Sequence, residues 1–99
     1  MRNEFPPEVK EIFYRSRYCL KCGRVDRPIE IHHIVGRDSN SALNACRLCD
    51  TCHEHIKHTN KYECMLFNIT TKYLVSQGYH LIDKDYKFLE KFNYLLAEP

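Results

Sequence analysis

The sequence predicts a small α+β domain, with one short hairpin, a helix before it and helices after it. Three observations carry this. Cys19-Leu20-Lys21-Cys22 and Cys49-Asp50-Thr51-Cys52 bracket an alternating β-branched run from Ile29 to Val35. Apolar residues between Tyr62 and Leu74 then recur at helical spacing. The 99 residues suit one domain, with a core over 18–58 and a helical extension over 60–99.

Each element has a local reason. Pro6-Pro7 followed by Glu8 starts a helix, since proline fits the first turn and an acid there suits the helix dipole. Val9, Ile12, Phe13 and Tyr14 give it an apolar face, and it ends before Cys19. Gly23 supplies the turn that lets Cys19 and Cys22 converge. Residues 29–35 form a strand, residues 36–41 a loop rich in turn formers, and residues 44–48 a short return strand. Asp50 or Thr51 caps a helix that carries His53. Asn60 caps a longer helix with Tyr62, Met65, Leu66, Ile69, Tyr73 and Leu74 inward, and Gly78 stops it. Residues 79–82 run extended. Asp83 caps a last helix that buries Tyr86, Leu89, Phe92, Tyr94 and Leu95.

A chain this short buries only about 60–70% of its unfolded surface, so a metal staple would help it fold. The first residues hold no apolar run of the signal-peptide kind, and no stretch reaches the roughly 20 apolar residues that span a bilayer. The expected setting is a reducing cytoplasm with no membrane association, where paired cysteines bind metal rather than form disulfides. Net charge is only +2. Arg15, Arg17, Lys21, Arg24, Arg27 and Arg37 nevertheless cluster around the first cysteine pair and the histidines, a local basic patch suited to phosphate.

The two Cys-x-x-Cys pairs have the spacing of a tetrahedral four-sulfur zinc site with an inserted hairpin. Cys46-x-x-Cys49-x-x-Cys52 offers two overlapping pairs. Cys49 and Cys52 are chosen, because that register starts a helix at His53 beside the metal. Cys46 and Cys64 are then buried thiols. A redox-active pair would need a thioredoxin-like strand–helix setting, which neither pair has.

The remaining pattern is Ile31-His32-His33-Ile34, Gly36-Arg37, Asn44 and Leu48-Cys49-x-x-Cys52-His53. With Cys19-x-x-Cys22 it resembles the HNH endonuclease family over roughly residues 18–58. The resemblance implies a ββα-metal core, a structural zinc on Cys19, Cys22, Cys49 and Cys52, and one catalytic divalent ion (Mg²⁺, Mn²⁺, Ni²⁺ or Zn²⁺). It implies that His32 and His53 hold that ion and that His33 is the general base. Asn44 matches the middle Asn of the family, which braces the loop and orients the base or, in some members, reaches the metal. Arg37 stands where many members carry a basic residue, for phosphate or transition-state charge. Some members place another histidine four residues past the His53 position, where this chain has Lys57. His55 and His58 do not align with His53 on a helix, and with His80 they read as surface residues.

The chemistry suits these residue types. Phosphodiester hydrolysis needs a base to activate water and a Lewis acid for the charge on phosphate and leaving oxygen. Successive strand residues face opposite sides, so His32 and His33 divide those roles. The expectation is a DNA endonuclease held by phosphate contacts, delivered to its target by a protein partner or acting alone. By extension from the family, its setting is a bacterium or a phage-infected cell. The alternative is a non-catalytic zinc module that binds DNA or protein.

Overall fold

The computed structural model describes residues 4–37 and 39–96. Residues 1–3, the start of the segment read for export, and Asp38 of the 36–41 loop lie outside them. Helix α1 spans Pro7–Phe13, opened by Pro6 as its cap. Strands β1 (Ile29–His33) and β2 (Ala45–Cys49) form an antiparallel pair, with Ile29 opposite Cys49, His32 opposite Cys46 and His33 opposite Ala45. A short helix α2 (Asp50–Glu54) follows β2 directly. Helices α3 (Asn60–Ser76) and α4 (Asp83–Lys91) complete the chain, with a 3₁₀ turn at Asn93–Leu96. The fold is thus α+β, built on a two-stranded sheet. None of the described helices is long and apolar enough to cross a membrane.

Several boundaries differ from expectation for identifiable reasons. β1 stops at His33, two residues early, because Asn44 captures the next two amides. Ile34 N–H donates to the Asn44 carbonyl at 2.8 Å and Val35 N–H to Asn44 Oδ1 at 2.9 Å. Asn44 itself closes a 3₁₀ turn (Ala42–Asn44), which moves β2 one residue later. α2 is capped not by Asp50 or Thr51 but by the Cys49 sulfur, which accepts from Cys52 N–H. Thr59, not Asn60, caps α3, its Oγ1 accepting from Tyr62 N–H at 3.2 Å. At α4 the capping carboxylate is Asp85, which accepts from Ile82 N–H at 3.0 Å, rather than Asp83. Asp85 is wholly buried and also accepts from Ser41 Oγ at 2.6 Å and from the Tyr79 hydroxyl. With Asp85 and Phe88 inward, Tyr86 lies about 100° around the helix and stays 54% exposed, against the buried role expected for it.

β2 lies between β1 and α3, and all five of its residues are buried. Phe13, Leu48, Leu66 and Leu95 are fully enclosed, with Phe67, Leu74 and Phe88 beside them. Arg47 is the exception in this apolar setting. Its guanidinium is buried, donates to the carbonyls of Phe13 (2.6 Å) and Tyr18 (2.7 Å), and lies between the rings of Tyr18 and Tyr73. It ties the end of α1 and the approach to Cys19 onto the sheet.

Arg47→Met should therefore cost about 2–4 kcal/mol, because it strands two carbonyls that a charged donor now satisfies. Denaturant unfolding at fixed metal concentration measures this. A loss below about 1 kcal/mol would mean that the tie is not a stabilising one.

Candidate functional site

Four sulfurs meet where the loop after α1 touches the β2–α2 junction. The Sγ atoms of Cys19, Cys22, Cys49 and Cys52 all lie within 4.8 Å of one another. The Cys22–Cys49 separation is 3.8 Å. Zinc bound tetrahedrally to sulfur at about 2.3 Å needs sulfur–sulfur edges of about 3.8 Å, so the cluster can hold a metal ion such as zinc. Both pairs fold alike. Cys22 N–H donates to Cys19 Sγ at 3.5 Å and Cys52 N–H to Cys49 Sγ at 3.4 Å. Gly23 adopts φ +79°, a left-handed turn that glycine enters without strain.

Burial of Cys19 opposes ionisation, yet amides of Cys22, Cys49 and Lys21 outweigh it and bring its thiol down to about 6. A thiolate is the form that ligates metal. Cys46 is excluded from the cluster, and burial pushes its thiol up to about 12. Cys64 is likewise outside it, donating to the Tyr94 carbonyl at 3.4 Å.

The histidines lie on the edge of β1 and the facing turn of α2. Here the fold places His32 and His53 with ring centroids 5.1 Å apart. His53 Nδ1 meets Glu30 Oε2 at 2.7 Å, which fixes the ring and leaves Nε2 as the nitrogen that could hold a metal. His32 Nε2 and His33 Nε2 are both buried and, among the described residues, have no hydrogen-bond partner. Burial, reinforced by repulsion from His53, His33 and His58, brings His32 down to about 4, so it is neutral at pH 7.

His33 stacks on Phe5, with centroids 3.9 Å apart and planes 13° from parallel. Burial lowers its pKa, the Asn40 side chain beside it works in the other direction, and the Arg37 cation lowers it further. It too is neutral at pH 7, the form in which an imidazole accepts a proton.

His32, His33, Arg37, His53 and His58 all border one cavity of about 350 Å³. Strand alternation alone would separate His32 from His33. They share the cavity because β1 ends at His33 and the chain turns there. His58, though exposed as expected, is also on the rim with Glu63. The reading that set it aside assumed a helix running on to residue 58, whereas α2 ends at Glu54. Lys57 and His55 do not border this cavity, and His55 Nδ1 meets the Thr51 carbonyl instead.

Asn44 is fully buried and spent on the loop. Its Nδ2 donates to the carbonyls of Gly36 and Ser39, both at 2.9 Å, and its Oδ1 accepts from Val35. Of its two suggested roles, this geometry is that of the brace.

Half of the basic patch read from the sequence is paired with carboxylates. Arg15 pairs with Glu11 at 3.1 Å, Arg24 with Asp26 at 2.9 Å and Arg27 with Asp50 at 2.7 Å. Arg17 and Lys21 lie over the rings of Tyr14 and Tyr62. Of that set, Arg37 alone borders the histidine cavity.

Sequence reasoning missed Glu30, Phe5 and His58. Glu30 was legible, since it stands two residues before His32 and so on the same strand face. Phe5 gave no signal, and His58 was set aside on a helical alignment that does not hold past Glu54.

Cys19→Ser or Cys49→Ser should abolish tight zinc or cobalt binding and unfold the chain, whereas Cys46→Ser should keep both. Cobalt charge-transfer spectra with circular dichroism read the two effects together. Metal binding lost in Cys46→Ser and kept in Cys49→Ser would reverse the ligand assignment.

No protein-family model matches the chain, and neither a curated protein nor a solved structure matches it. The functional reading therefore rests on the residues and their geometry.

Proposed function

We propose that the chain is a metal-dependent DNA endonuclease of the HNH type, with a ββα-metal core over residues 18–58. One observation carries this reading. A single cavity holds two neutral histidines with unpartnered buried nitrogens, His32 beside the carboxylate-oriented His53 and His33 stacked on Phe5. A structural zinc module has no use for that division.

In this reading zinc staples Cys19, Cys22, Cys49 and Cys52. His32 and His53 would hold a catalytic divalent ion, such as Mg²⁺, Mn²⁺, Ni²⁺ or Zn²⁺. Such an ion supplies Lewis-acid stabilisation of charge on the phosphate and the leaving oxygen. Glu30 sets the His53 ring. His33 takes the proton from the attacking water, and Phe5 fixes the plane in which it does so. Arg37 offers a cation to the scissile phosphate from the same cavity. Asn44 holds the loop that carries Arg37. Recognition is phosphate-dominated, and a protein partner can supply targeting.

A second reading, a non-catalytic zinc module for DNA or protein, has one observation in its favour. Among the described residues, no three ligand atoms other than the cysteine sulfurs converge. Open coordination positions are also what a catalytic site requires, so this weighs less than the histidine arrangement.

Plasmid nicking with Mg²⁺, Mn²⁺ or Ni²⁺ decides between them. His33→Ala should lower the rate by roughly 10²–10⁴-fold and leave divalent-metal affinity near wild type. His32→Ala and His53→Ala should lose metal affinity and activity together, as calorimetric titration can show. Failure of the wild type to nick in any of these metals would favour the non-catalytic module.

The pH profile is a further check. A base whose pKa is lowered stays neutral to lower pH, and activity is lost only as pH falls through that lowered value. The rate should therefore be flat from about pH 7 upward and decline below about 6.5, the ordinary histidine value. An acid limb centred above pH 7 would contradict a desolvated, cation-flanked His33.

A further inference from the structure

Helix α4 carries a row of charge that the catalytic reading leaves unused. Lys84, Lys87 and Lys91 fall within an arc of about 60° at about 100° per residue. With Ser39 and Asn40 they border a surface recess of about 530 Å³. All three lysines are exposed. Among the described residues none of the three takes part in an ion pair, and Lys91 lies 5.4 Å from the Phe92 ring centroid. On the same helix Asp85 is buried and hydrogen-bonded, and Asp83 and Glu90 fall beyond the edge of the arc. The contrast with Arg15, Arg24 and Arg27, each held by a carboxylate or amide neighbour, is direct. Folding thus leaves a row of three cations without an ion pair on α4, whereas three of the six cations in the earlier basic segment are paired with carboxylates.

One loop links the row to His33. Ser39 and Asn40 belong to the loop that Asn44 braces, and the Asn40 side chain sits beside His33. From Lys84 to Lys91 the helix rises about 10 Å at about 1.5 Å per residue. At about 3.4 Å of duplex axis per phosphate of one strand, three successive phosphates span about 7 Å of axis, within reach of three long lysine side chains spread over about 10 Å.

We infer that Lys84, Lys87 and Lys91 form a ridge that binds successive backbone phosphates of the DNA strand whose scissile bond lies at His33. This rests on the nuclease reading for the identity of the strand. An apolar or neutral partner would gain nothing from three cations in register. An evenly charged polyanion leading away from the catalytic cavity gains one contact per lysine.

The test uses the full zinc-loaded chain and a short fluorescent DNA duplex, titrated across a salt series without added catalytic metal. Lys→Gln keeps helix propensity and removes only charge. K84Q/K87Q/K91Q should make the slope of log affinity against log salt shallower by about 2–3, since each lost anchor removes about 0.9. Affinity at about 0.1 M salt should fall at least about tenfold. Lys72→Gln, an exposed charge on α3, should leave both unchanged. Circular dichroism and zinc content check the fold, and the three single variants, each removing about 0.9, serve if the triple one misfolds.

Unchanged slope and affinity in the folded variants would overturn the ridge. A wild type that nicks plasmid but whose duplex binding ignores these lysines would overturn it and leave the nuclease reading intact. Lysine-dependent binding without cleavage in any metal would sustain the ridge and remove the catalytic reading.

Discussion

Cys49 is the residue on which most of the structure converges. It ends β2, pairs across the sheet with Ile29, caps α2 through its sulfur and belongs to the four-sulfur cluster. Any ion held by Cys19, Cys22, Cys49 and Cys52 therefore fixes α2 against the hairpin. That in turn sets how His53, four residues into the same segment, meets His32 across the gap. Metal binding in such a site contributes on the order of 10 kcal/mol, comparable with the whole stability of a small domain. The packing of Arg47 under Phe13 and Tyr18 works in the same direction, because it brings the Cys19 loop to the sheet. The histidine geometry is thus downstream of a cluster that takes no part in it.

The histidine side shows what such rigidity permits. A buried nitrogen without a partner costs about 1–3 kcal/mol, and His32 Nε2 and His33 Nε2 both bear that cost. Native structures keep few such groups, and those that persist tend to mark sites where a ligand completes the bonding. The low pKa of His32 expresses the same fact, since protonation would bury a charge beside three other imidazoles. His33, a single residue away, is held differently. A ring stacked flat on Phe5 has lost its rotational freedom, and the nearby Arg37 cation disfavours its charged form. Neighbours in sequence thus sit in different surroundings, His32 against His53 and His33 against Phe5.

Much of this was legible in the chain, for physical reasons specific to each part. Paired cysteines at fixed spacing have few uses, so Cys19, Cys22, Cys49 and Cys52 could be grouped, and the cluster is there. The hairpin followed from β-branched alternation, and α3 from its apolar period. Helix starts were less legible. A cap depends on which side chain reaches the free amides, so Thr59 displaced Asn60, and Asp85, reaching back from inside α4, displaced Asp83. The pairing of half the basic patch was hidden for a related reason. Sequence proximity counts charges but not their partners, and Glu11, Asp26 and Asp50 had been placed by folding against those arginines. His58 was misjudged because helical alignment was applied beyond the end of α2, where its premise no longer held.

The two ligand sets also differ in a way that keeps their proposed metals apart. Four thiolates close a tetrahedron and leave no open position, which suits a structural ion. Thiolates also prefer soft and borderline ions, so this cluster discriminates strongly against Mg²⁺. Two imidazoles, one oriented by a carboxylate, leave most of a coordination shell to water and phosphate. Such a site binds weakly on its own and gains affinity when substrate phosphate supplies further oxygens. The zinc cluster can then stay loaded through folding while the histidine site fills only with substrate. A chain of this size need not build two complete metal cages. In the proposed reading it builds one, and uses its rigidity to hold half of another.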